Sequence, residues 1–454
     1  MDHPRLHPRR AERPLVEALE DSPVVLIHGP RQCGKTTLAK MVCAPATLSP
    51  LPEPLAPEGQ TAASAEPLNR EYQYLSFDDT SIRAAADADP MGFVANLPER
   101  VILDEVQHVP ELFSALKLEV DRRRVPGRFL LAGSTNVLLL PRLADSLAGR
   151  MQIVRLHPLS QSELEVGSGD DSVARHDFLD ALFGGEFGMQ RSDRLGAGLA
   201  ERIVAGGYPA ALSRPTARRR ANWYRDYIDA LVQRDVRSLA RIGSLEALPR
   251  LLALAASQSA RLLNVSNLAS PFQVSRPTIH DYLALLERIF LLERLAPWHS
   301  NRGSRLIKTP KLHMGDTGVA CALLGIDAAG LRRDGSMLGP LLETFVFQEI
   351  RRQASWLDER VALYHYRDKD KVEVDIVLER GNAVAGVEVK AAATVKGIDF
   401  KGLRKLATTV GARFAGGVVL YDGELSLSFG DGLHAVPIRR LWEQAGGRTR
   451  PESD

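Results

Sequence analysis

VVLIHGPRQCGKTT, residues 24–37, is the stretch of sequence that decides the fold. Its first five residues are apolar apart from His28 and predict a buried β-strand, and the residues from Lys35 onward predict a helix. Between them, Gly29 to Thr36 read GPRQCGKT, which fits GxxxxGK[ST] at every fixed position. A strand, a glycine-containing turn and a helix in this order predict a loop that binds phosphate groups.

The residue types in this loop predict a nucleotide and a metal ion. Glycines let backbone N–H groups turn toward phosphates, and Lys35 would reach the β- and γ-phosphates. Thr36 would offer its hydroxyl to Mg²⁺, so we expect ATP and Mg²⁺ as cofactors. The alternative is a glycine-containing turn that only resembles the motif. The predicted nucleotide-binding residues are Gly29, Pro30, Arg31, Gln32, Cys33, Gly34, Lys35, Thr36 and Thr37.

A second apolar run, Val101 to Leu103, ends in two acidic residues. Downstream of a phosphate-binding loop, a carboxylate at the end of such a strand holds Mg²⁺, the role predicted for Asp104. The adjacent Glu105 would polarise the attacking water as a general base. The two motifs together predict a hydrolytic site.

Three more residues are candidates for catalysis. Ser134 and Asn136 follow the apolar run FLLAG, and each could sense the γ-phosphate, although Ser134 could equally be a helix N-cap. Arg150, in SLAGR, would contact a phosphate of its own or a neighbouring subunit. A surface salt bridge is an equally good interpretation of this arginine.

Composition limits the class of protein. The chain has 454 residues, enough for two or three domains, with 44% hydrophobic and 25% charged residues. The net charge of +2 argues neither for nor against a nucleic-acid partner. The three cysteines lack metal-ligand spacing, and no run of about 18 apolar residues occurs, so we expect a cytoplasmic protein without a membrane span.

Strands alternating with helices up to residue 165 predict a parallel sheet covered on both faces, within an α/β fold. We predict a P-loop core over residues 1–165, with a Pro-rich insertion at 44–70. A helical region with a winged helix-turn-helix would follow at 166–300, and an α/β domain at 301–440, with a tail at 441–454.

Acidic residues on two neighbouring strands stand out in the last domain. In VEVDIVLE, alternation places Asp375 on the polar face, and VEVK places Glu388 and Lys390 together on one face. Asp followed by ExK is the arrangement of the PD-(D/E)xK nucleases, whose carboxylates bind Mg²⁺. Glu343 could supply a third carboxylate. The alternative is a half-exposed strand pair with a salt bridge between Glu388 and Lys390.

The segment SRPTIHDYLALLERI predicts the second helix of a helix-turn-helix. Ser275 would cap it, and Ile279, Tyr282, Leu283 and Leu286 would form its core face. The polar residues at its start could face a major groove, so DNA is a candidate partner. Because only Arg276 among them is cationic, the module could equally serve for packing alone.

These runs of sequence resemble a known family. YLSFDD, VILDEVQHVPELFSALKLEVD, FLLAGSTN and SLAGR occur in the order of prokaryotic AAA+ ATPases that carry a C-terminal domain of unknown function. GGYPA, WYRDYIDALVQRDV, KLHMGDTGVACALLG and LLETFVFQEI are similar to their C-terminal part. The resemblance implies an ATPase core, a winged helix and a restriction-endonuclease-like fold.

We therefore predict an AAA+-type ATPase whose hydrolysis is coupled to a winged-helix and nuclease-like module acting on nucleic acid. One alternative is a DNA nuclease regulated by ATP, and another is a non-catalytic switch or scaffold. AAA+ cores often assemble into rings, so an oligomer is compatible with this prediction.

Overall fold

The computed structural model describes residues 6–43, 72–134, 147–165, 178–185, 187–233, 247–272, 274–301, 303, 305 and 308–443. The predicted insertion at 44–70 and Asn136 lie outside these residues, as does all but the start of the predicted tail. The chain divides into two compact units. The first comprises Met1–Leu159 with two short later segments, and the second comprises most of the remaining chain. The three-domain division stays a prediction.

The first unit is a parallel α/β sheet. Its elements are α1 Glu12–Asp21, β1 Val24–His28, α2 Lys35–Val42, β2 Gln73–Ser76, α3 Thr80–Ala88, α4 Pro90–Ala95, β3 Val101–Asp104, α5 Leu112–Arg122, β4 Phe129–Gly133 and β5 Met151–Arg155. The strand order is β2-β3-β4-β1-β5, and every neighbouring pair is parallel. The predicted strand–helix alternation and parallel sheet are confirmed.

Both faces of the three central strands are buried, because alternate residues of β1, β3 and β4 belong to different hydrophobic clusters. Along β1, Val24 and Leu26 belong to the cluster that contains residues of α3, α4 and α5. Val25 and Ile27 belong to the cluster that contains residues of α1 and α2. This period of two, with apolar residues at every position, is typical of a strand covered by helices on both sides.

The second unit begins with helices and a small antiparallel sheet. These elements are α6 Gln161–Glu165, α7 Phe178–Gly184, α8 Ala197–Ala205, α9 Pro209–Leu212, α10 Ala217–Leu231, α11 Ala247–Ser257, β6 Arg261–Leu262, α12 Val265–Ala269, α13 Arg276–Arg288, β7 Leu292–Leu295 and β8 Lys311–Met314. The three strands lie in the order β6-β8-β7. The helices α12 and α13 and this sheet are the elements that a winged helix requires. The assignment of a winged helix stays a prediction.

A six-stranded mixed sheet and further helices complete the second unit. They are α14 Thr317–Leu324, α15 Ala328–Arg333, α16 Gly335–Ala354, β9 Val361–Arg367, β10 Glu373–Arg380, β11 Ala383–Lys390, α17 Lys401–Val410, β12 Phe414–Tyr421, β13 Leu427–Ser428 and β14 Leu433–Pro437. The strand order is β13-β14-β12-β11-β10-β9. The predicted α/β class with a helical middle is confirmed, and the C-terminal α/β part contains a mixed sheet. Its likeness to a restriction-endonuclease fold stays a prediction.

Asp316 joins two sequence runs that lie more than a hundred residues apart. Its side chain caps α14 by accepting from Gly318 N and Val319 N, at 2.9 and 3.2 Å, and accepts from Gly207 N at 2.8 Å. Gly206 has φ +64°, and an added Cβ would lie 2.3 Å from the Asp316 carboxylate. The GGYPA and GDTG runs are therefore the two halves of one buried junction.

No helix in the described part of the chain combines the length and the apolar character that crossing a membrane requires. The cytoplasmic location stays a prediction.

Candidate functional site

The loop between β1 and α2 depends on two glycines. A Cβ on Gly29 would lie 2.0 Å from the carbonyl oxygen of Leu156, so only glycine lets the loop pass beside β5. Gly34 has φ +99°, in the left-handed region that favours glycine. Gln32, with φ 60°, adopts the left-handed conformation despite its side chain. These positions turn the backbone toward the amino end of α2.

The side chains of Lys35 and Arg9 donate hydrogen bonds to backbone carbonyls of this loop. The ammonium of Lys35, which is 5% exposed, donates to Gly29 O at 3.1 Å and Pro30 O at 2.9 Å. The guanidinium of Arg9 donates to Cys33 O at 2.7 Å and to His157 O at 2.6 Å. Arg9 was missed by the sequence analysis, because its contact with the loop spans 24 positions and no motif marks it.

Asp104, at the end of β3, connects three elements. Its Oδ2 accepts from Thr36 Oγ1 at 2.6 Å and from Tyr74 OH at 2.9 Å, and its Oδ1 accepts from Glu105 N at 3.0 Å. Burial, and then the charge of Asp104, raise the pKa of Tyr74 to about 12, so its phenol stays protonated as the donor. The hydroxyl and carboxylate oxygens of Thr36 and Asp104 are ligands that Mg²⁺ prefers, so this pair fits the predicted ion.

Glu105 lies beside this pair in a fixed orientation. Its φ of 56° is in the left-handed region and turns its side chain toward β4. Its Oε2 accepts from Gln107 Nε2 at 2.5 Å and from Ser134 Oγ at 3.0 Å. Gln107 Nε2 also lies 3.0 Å from Ser134 Oγ, which closes a triangle of polar side chains.

The same contacts keep Glu105 ionised. Burial raises its pKa, but hydrogen bonds from Gln107 and Ser134 and the charges of Lys35 and Arg31 outweigh burial. The net effect is a pKa below the usual value for a glutamate. A carboxylate of this kind orients water more readily than it removes a proton, because general bases work best with a pKa near the working pH.

Ser134 lies where the sequence analysis placed it, after the strand that separates β1 from β3. Its partners are Glu105 and Gln107, so it is positioned to hold the carboxylate. Gln107 itself was missed, since nothing in VQHVP distinguishes it from an ordinary loop residue. Asn136, the other candidate sensor, lies outside the described residues.

Arg150 lies at the end of the sheet where the strands begin, whereas the loop lies at the end where they finish. Arg150 precedes β5, whose first residue pairs with Val24 at the start of β1, whereas the loop follows His28 at the end of β1. The five residues of β1 therefore separate Arg150 from the start of the loop by about 15 Å. Its guanidinium donates to Asp121 at 2.6 and 3.0 Å. The salt bridge named as the alternative is present, and this separation argues against a contact from Arg150 to a phosphate in its own loop. A contact with a phosphate in a neighbouring subunit stays a prediction.

The second set of candidates lies on β10, β11 and α16. The two strands are antiparallel, and Ile376 pairs with Val387, the residues next to Asp375 and Glu388. Lys390 Nζ donates to Glu388 Oε1 at 2.9 Å, as the salt-bridge alternative predicted.

One residue of this second site was missed. Lys311, the first residue of β8, donates from Nζ to Glu343 Oε1 at 2.7 Å and to Asp375 Oδ1 at 3.2 Å. Burial, and then the charge of Asp375, raise the pKa of Glu388 to about 8. Burial raises the pKa of Glu343 as well. Among the described residues, no group of three His, Cys, Asp or Glu side chains has the arrangement of a metal site.

The helix predicted after Ser275 spans Arg276–Arg288, and Thr278 N donates to Ser275 Oγ at 3.2 Å, which confirms the cap. Its predicted core residues are buried. Arg276 and His280 are exposed, and contact with DNA stays a prediction.

The parallel sheet, the glycine-dependent loop and the Asp104–Glu105 strand end all lie within residues that match a known family model. Residues 21–165 match the family model described as an AAA domain. Residues 196–330 and 338–441 match two models described as domains of unknown function, DUF8612 and DUF4143.

Proteins similar to the whole chain are also known. The uncharacterized protein Rv2008c of Mycobacterium tuberculosis and Mb2031c of Mycobacterium bovis are each 28% identical over 434 residues, covering 95% of this chain and 84% of theirs. Among solved structures, the Walker-type ATPase Paby2304 of Pyrococcus abyssi has a TM-score of 0.40 and 14% identity, covering 70% of this chain and 99% of its own. Protein VC1899 of Vibrio cholerae has a TM-score of 0.18 and 11% identity, covering 92% and 95%.

Proposed function

We propose that the first unit binds ATP with Mg²⁺ and hydrolyses it slowly. The observation that carries the proposal is the 2.6 Å contact between Thr36 Oγ1 and Asp104 Oδ2, with Glu105 as the next residue. It brings the phosphate-binding loop, the acidic strand end and a general-base candidate to one edge of the sheet. Bound Mg²⁺ would neutralise charge on the phosphates.

The residues of this site then have separate roles in ATP hydrolysis. Lys35 places a buried ammonium at the loop and would stabilise charge on the transferred phosphoryl group. Glu105 orients the attacking water, and Gln107 and Ser134 hold its carboxylate in place. The lowered pKa of Glu105 favours this orienting role and accounts for the slow turnover that we expect.

Nucleotide binding and phosphate release, measured on the full chain, test the proposal. We expect Lys35→Ala to lose ATP binding, and Glu105→Gln to bind ATP normally while releasing phosphate about 10²-fold more slowly. Arg83→Ala is the control, because Arg83 is an exposed cation on α3 whose ion-pair partner, Asp87, lies in the same helix. Normal binding by Lys35→Ala would refute the proposal. Unchanged phosphate release in Glu105→Gln would favour the non-catalytic switch.

The hydrogen bonds that join Gln107, Glu105 and Ser134 predict a second effect on ATP turnover. Gln107→Leu keeps the approximate size of the side chain but removes the donor to Glu105 and Ser134. We expect a lower kcat with little change in KM, because the carboxylate loses its orientation while the loop is untouched. A change in KM alone would show that Gln107 acts on nucleotide binding.

A second candidate function belongs to the second unit: a metal-dependent nuclease acting on DNA, with ATP as a regulator. Its support is the convergence of Glu343, Asp375, Glu388 and Lys390, which lie on three different elements. Linear and branched DNA incubated with Mg²⁺ or Mn²⁺ tests it, with Asp375→Ala as the control. We expect cleavage that requires Asp375 if the candidate is right, and its absence from the wild type under every condition would retire it.

ATP turnover with and without DNA tests the proposed coupling between the two activities. Stimulation by DNA in the wild type, and its loss when Arg276 on α13 is replaced by Ala, would support a nucleic-acid partner. Identical turnover in both conditions would leave the ATPase proposal standing and remove DNA as its regulator.

A further inference from the structure

Lys311 occupies the centre of the acidic site in the second unit. It is 3% exposed, and its ammonium lies between two carboxylates, 2.7 Å from Glu343 Oε1 and 3.2 Å from Asp375 Oδ1. A metal ion bound by these residues would take the same two oxygens. The protein's own cation therefore lies in the position that a nuclease of this type gives to a divalent ion.

The second oxygen of Asp375 is also engaged. Its Oδ2 accepts from the backbone N–H of Val389 at 3.0 Å, which fixes the carboxylate to the neighbouring strand β11. Both oxygens of the central carboxylate thus carry a donor. A metal ligand at this position would have to release Lys311 or break a backbone hydrogen bond.

The charges of the site lead to the same conclusion. Three carboxylates, those of Glu343, Asp375 and Glu388, carry three negative charges when ionised. One lysine and one divalent ion would balance them, which is the composition of the nuclease site. Here Lys311 and Lys390 already supply two positive charges, so only one negative charge remains to attract a divalent ion, against two in a site with one lysine.

We infer that Lys311 is the resident cation of this site and excludes a divalent metal from it. The ammonium joins the start of β8 to α16 and β10, so the site ties the small antiparallel sheet to the mixed sheet. This site then stabilises the second unit without a metal ion. This inference does not depend on ATP hydrolysis by the first unit.

Mn²⁺ binding to the full chain, measured by titration calorimetry and by electron paramagnetic resonance without nucleotide, tests the inference. We expect the wild type and Asp375→Asn to bind the same amount of Mn²⁺, since neither has a metal at this site. Lys311→Met removes the ammonium and keeps an apolar stem of similar length. It should gain one equivalent of Mn²⁺ that the wild type lacks, because the three carboxylates then face only one lysine and attract a divalent ion.

The gained Mn²⁺ should disappear in the double variant Lys311→Met with Asp375→Asn, and Lys311→Arg should gain none because it retains the charge. Failure of folded Lys311→Met to gain Mn²⁺ would overturn the inference. If Lys311→Met does not fold, Mn²⁺ binding by the wild type, Asp375→Asn and Glu388→Gln tests the inference instead. An equivalent of Mn²⁺ that is lost in both Asp375→Asn and Glu388→Gln would overturn the inference, and identical binding in all three proteins would support it.

The nuclease candidate makes the opposite prediction for the wild type, namely a Mn²⁺ site that depends on Asp375. The same titration therefore separates the two. Any Mn²⁺ bound at Thr36 and Asp104 is common to all these variants and cancels in the comparison. Failure of the inference would leave the ATPase proposal unaffected.

Discussion

Replacing Asp316 by Ala should destabilise the second unit far more than replacing another helix-capping aspartate. The Asp316 side chain is 2% exposed and accepts three backbone hydrogen bonds, two from the first turn of α14 and one from Gly207. In Asp316→Ala all three donors remain buried and lose this partner. Arg352, 3.8 Å from Asp316, keeps its ion pair with Glu349, so the variant leaves no isolated charge.

The expected loss follows from these contacts. Removing an N-cap costs roughly 1 kcal/mol, and a buried N–H without a partner costs roughly 1–3 kcal/mol. Together they give a loss of about 3 kcal/mol in the free energy of unfolding. For a unit of this size, each kcal/mol lowers the Tm by about 2–4 °C, so the Tm should fall by about 6–12 °C.

Tryptophan fluorescence during heating is the appropriate assay. All four tryptophans, Trp223, Trp298, Trp356 and Trp442, lie in the second unit, so their emission follows that unit alone. The control is Asp327→Ala, because Asp327 caps α15 through Gly330 N at 2.6 Å but is exposed. It should lose only about 1 kcal/mol. Equal Tm shifts in the two variants would refute the assignment of Asp316 to a buried junction.

Three other variants test the first site and the pH response. Tyr74→Phe removes one donor to Asp104, worth about 1 kcal/mol, so the Mg²⁺ concentration for half-maximal ATP turnover should rise about fivefold, and an unchanged value would contradict the contact. Gly29→Ala should abolish ATP binding, because its Cβ would lie 2.0 Å from Leu156 O, and binding at wild-type affinity would show that the loop can move aside. Burial lowers the pKa of His365 to about 4 in the folded state, against 6.5 for the free side chain. As the pH falls, His365 therefore becomes protonated in the unfolded chain before it does so in the folded protein. Stability should therefore fall as the pH decreases from about 6.5 to about 4, by at most about 3 kcal/mol from this group, and His365→Gln should reduce that slope in the same fluorescence assay.

The parallel sheet could be predicted because its signals are local. Apolar runs of strand length mark β1, β3 and β4, because a strand covered on both faces needs apolar residues at nearly every position. The edge strand β5 has a mixed sequence and was not predicted. The site residues on strand ends and in the first loop could be found because their signals are local as well. Thr36 and Asp104 belong to two motifs, and the strand order brings the motifs together.

The errors and omissions share a different cause. Arg150 was placed by its distance downstream of the loop, but a residue before a parallel strand lies at the opposite edge of the sheet from a residue after one. Gln107 reaches Glu105 only because Glu105 adopts a left-handed backbone conformation, which the residue type does not indicate. Lys311 meets Glu343 and Asp375, 32 and 64 positions away. Its position before an apolar strand looks like that of an ordinary exposed lysine.

The partners of a buried carboxylate indicate whether its motif serves chemistry or architecture. Asp104 and Glu105 accept mainly from side chains, the hydroxyls of Thr36 and Ser134 and the amide of Gln107, and such donors can rotate away when a ligand needs the oxygen. Asp316 accepts from backbone N–H groups in a tight turn and a helix start, which cannot move without unfolding their elements. By this criterion the GGYPA and GDTG runs are structural, whereas the donors around Asp104 and Glu105 leave these carboxylates available to the ligand that we propose. Asp375 lies between the two cases, because it accepts from one backbone N–H and from the movable side chain of Lys311. Lys311→Met removes the movable donor. This substitution should therefore convert Asp375 from an architectural residue into a metal ligand.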